Sequence, residues 1–287
     1  MLDVVLETLI DAVKILPFLF FTYLLMEYIE HKVSEKTRET IKKSGRLGPF
    51  VGSILGCVPQ CGFSVSASNL YAARVISLGT LIAIFLSTSD EMIPIAIANG
   101  ANISFILKVI VIKVIISMIA GFIIDYILRN KNKGQEEHIH EVCEHENCNC
   151  EEKGILKSTI KHTVNIFIFV VIVMFVLNLA VMLIGKDNLS NILMQNTIFG
   201  PMIASLIGLI PNCAASVILV ELYLSDAITF GSVIAGLLSG AGIGLAVLFK
   251  VNKKLSENLK IVGIIYMIGI IFGILINFLE QFLNFKI

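Results

Sequence analysis

The chain has 287 residues, 56% of them hydrophobic, with 22 basic and 22 acidic side chains, and its mean hydropathy is +0.88. Apolar runs of about 18 residues or more recur along it, which excludes a soluble globular domain and places the chain in the membrane class. A net charge of zero leaves no basic field for a nucleic-acid partner.

Asp3, Glu7 and Asp11 stand where a signal peptide would be basic, so the first apolar stretch, 4–29, is expected to remain as a spanning helix. Glu7, Asp11 and Lys14 fall at helical spacing and read as a solvated helix end. A basic loop follows, with Lys32, Lys36, Arg38, Lys42, Lys43 and Arg46. Residues 48–74 are then broken by Cys57-Val58-Pro59-Gln60-Cys61-Gly62. The first piece is roughly ten residues, about 15 Å as a helix, too short for ~30 Å of hydrocarbon, so a re-entrant helical hairpin is expected. A second span, 77–98, is interrupted by Ser87-Thr88-Ser89-Asp90-Glu91, and a third runs over 103–128. After a polar loop the plan recurs: a span at 159–184, a Pro-broken segment at 200–224, a Gly-broken span at 228–249 and a last span at 260–281.

An offset of 152 positions pairs Gly48 with Gly200, Pro49 with Pro201, Ser53 with Ser205, Gly56 with Gly208, Pro59 with Pro211 and Cys61 with Cys213. Ser64 meets Ser216, Tyr71 meets Tyr223, Gly79 meets Gly231 and Ser87 meets Ser239 without a gap. Similar apolar composition does not place Gly, Pro and Cys in register, so the chain reads as an internal duplication. The expected fold is an all-α polytopic membrane protein of two inverted repeats. Each has three spanning helices and one Pro-broken re-entrant hairpin, giving 8 to 10 helices in total. The division is repeat 1 over 1–131, a cytoplasmic His/Cys/Glu-rich loop over 132–154, and the inverted repeat 2 over 155–287.

Counting Lys and Arg in the short loops puts 30–46, Arg74, the central loop and the Lys250, Lys253, Lys254, Lys260 cluster inside. Residues 99–102, 185–198 and Ser225-Asp226 then fall outside, as do both termini, in a multi-pass protein of the plasma membrane.

Non-helical backbone at membrane depth persists only where protein or a water-filled cavity satisfies its polar groups, so paired breaks point to a central polar site. Cys61 and Cys213 stand at the expected start of a half-helix, where backbone N–H groups favour a thiolate. With Cys57 they supply three soft sulfurs, which suit thiophilic ions. Asp90 and Glu91 are ionisable groups within a span, costly there and functional by default. They could hold a cation or carry a proton, and Lys113 in the next span is a candidate counter-ion. Their repeat partners are Gly242 and Ile243, so the acidic pair is one-sided. The expected metal ligands are Cys57, Cys61, Asp90, Glu91 and Cys213. Gln60, Ser87, Thr88, Asn212 and Ser239 add oxygen or nitrogen along the path. Glu221 and Asp125, near helix ends, need no special role. His138, His140, Cys143, His145, Cys148 and Cys150 form a tract that collects transition metals by composition, although its spacing is not that of a zinc finger.

No phosphate-binding glycine loop or catalytic triad pattern is visible, so movement driven by an ion gradient or the membrane potential is expected, without a cofactor, with proton coupling as one form of it. The readings are a secondary exporter of a metal or metalloid ion, a membrane thiol-disulfide enzyme using Cys57 and Cys61, and a metal-sensing scaffold that transports nothing. Partners are then the ion and the lipid bilayer, with a homo-oligomer left open. The Cys57–Ser64 segment, the Ser87–Glu91 break and Pro211-Asn212-Cys213 resemble the ten-helix heavy-metal exporters, which carry the labels arsenic efflux protein and manganese transporter and are similar in pattern to the arsenical permeases. That resemblance spans essentially the whole chain and implies efflux of a metal or metalloid, Mn²⁺, another divalent transition metal or a trivalent arsenical.

Overall fold

The computed structural model describes residues 47–58, 61–89, 92–98, 101–128, 155–184, 199–211, 213–225 and 227–283, with parts of 8–24. Every regular element among them is helical. Helical residues between 8 and 24 are followed by α1 (Gly48–Gly56), α2 (Gly62–Ala72), α3 (Leu78–Ser87), α4 (Met92–Ala98) and α5 (Ile103–Leu128). The second half has α6 (Ile155–Ile184), α7 (Gly200–Gly208), α8 (Cys213–Leu224), α9 (Phe230–Ser239), α10 (Ile243–Val251) and α11 (Leu255–Leu283).

The duplication is visible in the helix limits. An offset of 152 carries α1 onto α7 and α3 onto α9 end for end. Each short helix starts for the same local reason in both halves. Pro49 and Pro201 sit in the first turns of α1 and α7, where a missing N–H costs nothing. Ser77 caps α3 by accepting from the Thr80 N–H at 3.1 Å, and Thr229 caps α9 by accepting from the Ser232 N–H at 3.2 Å. A second support backs each cap: Asp125 Oδ1 accepts the Gly79 N–H at 2.8 Å and Asn277 Oδ1 accepts the Gly231 N–H at 3.0 Å.

Close crossings hold the layers of each half together. A methyl placed on Gly121 of α5 would lie 2.8 Å from Pro49 Cβ and 3.0 Å from Ala83 Cβ. One placed on Gly273 of α11 would lie 3.0 Å from Pro201 Cβ and 2.6 Å from Ala235 Cβ. Glycine lets three helices approach at one point in each half. Between the halves packing is reciprocal: α2 lies on α10, and α8 lies on α4.

Four stretches among the described residues are long and apolar enough to cross a membrane: Ile103–Leu128, Thr159–Val176, Phe230–Val251 and Leu255–Phe282. The broken one, Phe230–Val251, is 89% buried inside the protein, against 39%, 29% and 33% for the others. The broken helices are therefore central and the unbroken ones face lipid. Leu107, Val111, Ile115 and Ile119 form such an exposed stripe on α5, at helical spacing. A second apolar cluster joins Ile15, Leu19, Val65, Ile166, Val170, Ile243 and Val247, tying the first helical segment and α6 to the α2–α10 pair.

Candidate functional site: four helix breaks in contact

The α1–α2 hairpin tip, the α3–α4 break, the α9–α10 break and the α7–α8 tip adjoin one another. Gly56 at the end of α1 lies against Ser87 at the end of α3. Just past the first tip, Ser64 meets the start of α10: a methyl on Gly244 would sit 2.6 Å from Ser64 Cβ. Ser68 Oγ donates to the Gly244 carbonyl at 2.7 Å. On the far side Ser216 of α8 flanks Gly240, where α9 stops. The α8–α4 contact closes the circuit.

Gly242 makes the α9–α10 break possible, with φ 56° and ψ −154°, a conformation open essentially to glycine alone. Buried hydroxyls cluster at the breaks and bond back to carbonyls of their own segments. Ser87 Oγ donates to Ala83 O at 2.8 Å, Thr88 Oγ1 to Ile84 O at 2.7 Å, Ser89 Oγ to Ser87 O at 3.1 Å, and Ser239 Oγ to Ala235 O at 3.1 Å. Ser205 and Ser239 also share a hydrogen bond, 2.5 Å long. These oxygens keep lone pairs free to accept, so the ring is polar in a belt of buried leucine, isoleucine and phenylalanine.

Depth follows from the long helices. Lys113 lies ten residues into the 26-residue α5, about 15 Å from its start by the helical rise. Its side chain is fully buried, and its Nζ donates to the Thr88 carbonyl just beyond the end of α3. Gly269, midway along α11, faces Ser205 and Ser239. Both breaks thus lie well away from the ends of the long spans.

The sequence-derived residues divide three ways. Ser87, Thr88 and Ser239 are at the ring and buried. Cys57 is half-buried at the tip, its Sγ donating to Ser53 O at 3.4 Å, within electrostatic reach of Lys113. Cys61 is buried at the start of α2 within the second apolar cluster, beside the group of Ile15, Val65 and Ile243. Gln60, Asp90, Glu91, Asn212, the side chain of Cys213 and the tract His138, His140, Cys143, His145, Cys148 and Cys150 lie outside the described residues. Among the described residues no three His, Cys, Asp or Glu side chains gather as a ligand set.

A family model described as "Putative, 10TM heavy-metal exporter" matches residues 1–184 and 155–287, together the whole chain. The chain belongs to that family. No curated protein and no solved structure matches it. Membership in a heavy-metal exporter family accords with an all-helical fold whose buried core is a set of broken spans.

Three features escaped the sequence reading. Ser64 and Ser68 line the contact with Gly244; their alternation with small residues was the available signal. Asp125, taken as a bland helix end, holds the start of α3, also accepting from Ser77 Oγ at 2.6 Å. Finally, Tyr71 and Arg74 bind Glu257, the guanidinium through Nη1 at 2.7 Å and Nη2 at 2.9 Å. At the offset positions, Tyr223 stacks on Phe105 at 4.9 Å between ring centroids.

Proposed function

We propose that the chain is a secondary-active exporter of a heavy-metal or metalloid ion, built as two inverted repeats, with the ion passing through the ring of helix breaks near the bilayer midplane. The observation that carries this reading is the circuit of contacts that joins the two hairpins to the two broken spans. Inversion is supported by the long helices. The α2–α3 turn adjoins the C-terminal part of α5 through Ser77 and Asp125, whereas the equivalent α8–α9 turn adjoins the N-terminal part through Tyr223 and Phe105. Equivalent turns at opposite ends of one span fit opposite membrane faces. The Arg74–Glu257 pair also joins two segments that the charge count puts inside, so the central loop is cytoplasmic and both termini lie outside, in the plasma membrane.

Cys57, Cys61 and Cys213 supply soft ligands, and Asp90, Glu91, Gln60 and Asn212 hard ones, so thiophilic ions and Mn²⁺ make different demands on the site. The His138–Cys150 tract gathers ion on the cytosolic side. Flux into proteoliposomes containing the purified chain, measured for Mn²⁺, Zn²⁺, Fe²⁺ and trivalent arsenicals, tests the reading. At least one ion is expected to cross faster than in empty liposomes. Cys61→Ser with Cys213→Ser should abolish flux of a thiophilic ion and spare Mn²⁺. No flux of any of them would leave the scaffold reading in its place.

A further inference from the structure

Two contacts between the halves are reciprocal under the 152-residue offset. Tyr71, next to last in α2, donates to Glu257, the third residue of α11. Tyr223, next to last in α8, stacks on Phe105, the third residue of α5. Tyr71 and Tyr223 are offset partners, and so are Phe105 and Glu257. The outgoing arm of each hairpin thus ends against the same point on the long helix of the other half. Tyr71 lies nine residues beyond Gly62 and Tyr223 ten beyond Cys213, about 14 and 15 Å past the tips by helical rise, or half of ~30 Å of hydrocarbon. With the repeats inverted as proposed above, the two contacts stand at opposite mouths of the ring.

Both contacts are made in a way that lets them part. Among the described residues neither α2 with α11 nor α8 with α5 packs closely, unlike α3 on α5 and α9 on α11, which cross at glycines. Long side chains bridge the gap, and side chains change rotamer far faster than packed backbones separate. Their chemistry differs. Arg74 holds Glu257 through Nη1 at 2.7 Å and Nη2 at 2.9 Å while its guanidinium lies 5.0 Å from the centre of the Tyr71 ring. On the other side the Tyr223 and Phe105 rings are 4.9 Å apart at 16°, and Phe230 joins them where the first half has Leu78.

We propose that these contacts are the two gates of the ring: an ionic gate of Tyr71, Arg74 and Glu257 on the face that the charge count puts inside, and an aromatic gate of Tyr223, Phe105 and Phe230 outside. This rests on the transporter reading above and names the side chains that part on each face. Each gate joins one repeat to the other, so a tilt between the repeats that opens one mouth presses the other shut. The inner gate opens when Arg74 releases Glu257, and the outer when Tyr223 slides off Phe105. Both are shut in this structure, which seals the ring from either face.

The test reads access to Cys57, half-buried at the first tip. The full-length chain, in right-side-out and inside-out membrane vesicles, is exposed to a charged, impermeant methanethiosulfonate, and modification of Cys57 is timed by peptide mass spectrometry. Glu257→Gln should speed modification from the inner face alone, and Phe105→Ala from the outer face alone, each about tenfold for a gate weakened by roughly 1.4 kcal/mol. Phe105→Tyr keeps the stack and should follow the wild type. Arg74→Gln and Tyr223→Leu read the same two faces from the opposite partner should either first variant fail to fold. Folded variants that change neither face, or the wrong one, refute the gates, as does a wild type modified quickly from both faces. Flux of Mn²⁺, Zn²⁺, Fe²⁺ and trivalent arsenicals in proteoliposomes of the same chain separates the two readings. Flux with gates refuted leaves the transporter reading standing, whereas no flux of any of them removes it and the gates with it.

Discussion

The two halves share their carpentry and differ in their chemistry. Asp125 and Asn277 do one job, receiving an N–H from the first turn of a broken helix, and Gly121 and Gly273 both admit three helices to one point. By contrast Lys113 faces Ile265 across the offset, and the Tyr71–Arg74–Glu257 cluster faces the Tyr223–Phe105 stack, to which Phe230 adds its ring at 5.6 Å from Tyr223. Positions that repeat are those any copy of the fold needs to assemble. Positions that diverge are those where the two halves do different jobs.

The largest effect expected from breaking this comparison lies in what the halves share. Gly121→Val and Gly273→Val each force a branched side chain into a backbone crossing, and each should destabilise by about 3 kcal/mol or more. Thermal unfolding in detergent reads this, and the two losses should match within about 1 kcal/mol if the crossings are equivalent. A tolerated valine at either position would mean that the close approach is not structural.

Where the halves diverge, the effect should be smaller and different in kind. Arg74 adopts φ 60° at the end of α2, with its N–H on Tyr71 O and the Val75 N–H on Leu70 O, a left-handed helix stop more usual for glycine. The chain accepts this strain while placing the guanidinium on Glu257. Glu257→Gln should cost about 1.5–3 kcal/mol by weakening charged hydrogen bonds, and added salt should shrink the difference from wild type. Phe105→Leu should cost about 0.5–1.5 kcal/mol from the lost ring stacking, with no salt dependence. Equal salt responses from the two variants would erase the distinction between an ionic and an aromatic contact.

The smallest effect tests whether Asp125 acts only as a builder. Asp125→Asn copies the second half's solution and should change the melting temperature by less than the equivalent of about 1 kcal/mol, whereas Asp125→Ala removes the acceptor and should cost about 1–2 kcal/mol. A large loss for the asparagine variant would give the charge itself a role.

How much of this could be read beforehand depended on sequence distance. Pro, Gly and Cys punctuate the chain locally, so the breaks near Cys57–Cys61 and Ser87–Ser89 and the 152-residue offset were legible from residue order, and the limits of α1 and α3 bear them out. Contacts between remote segments were not. Arg74 and Glu257 are 183 positions apart, and no periodicity announces their pairing. Asp125 looked like a helix-end residue with no special role because its partner, the Gly79 N–H, is supplied by another helix. Cys61 shows the same limit: its place at the start of α2 was legible, but the face it turns to Ile15, Val65 and Ile243 is set by helices packed from elsewhere.

The central claim is that an ion travels past the hairpin tips, and Cys57 allows it to be tested on the native chain, since its thiol is half-buried at the first tip. Proteoliposomes moving Mn²⁺ would be treated with a small, charged methanethiosulfonate reagent, alongside the Cys57→Ser variant. The account predicts that the reagent halts flux in the wild type, that Mn²⁺ slows the block, and that the variant keeps transporting after treatment. Complete labelling of Cys57 with undiminished flux would contradict it.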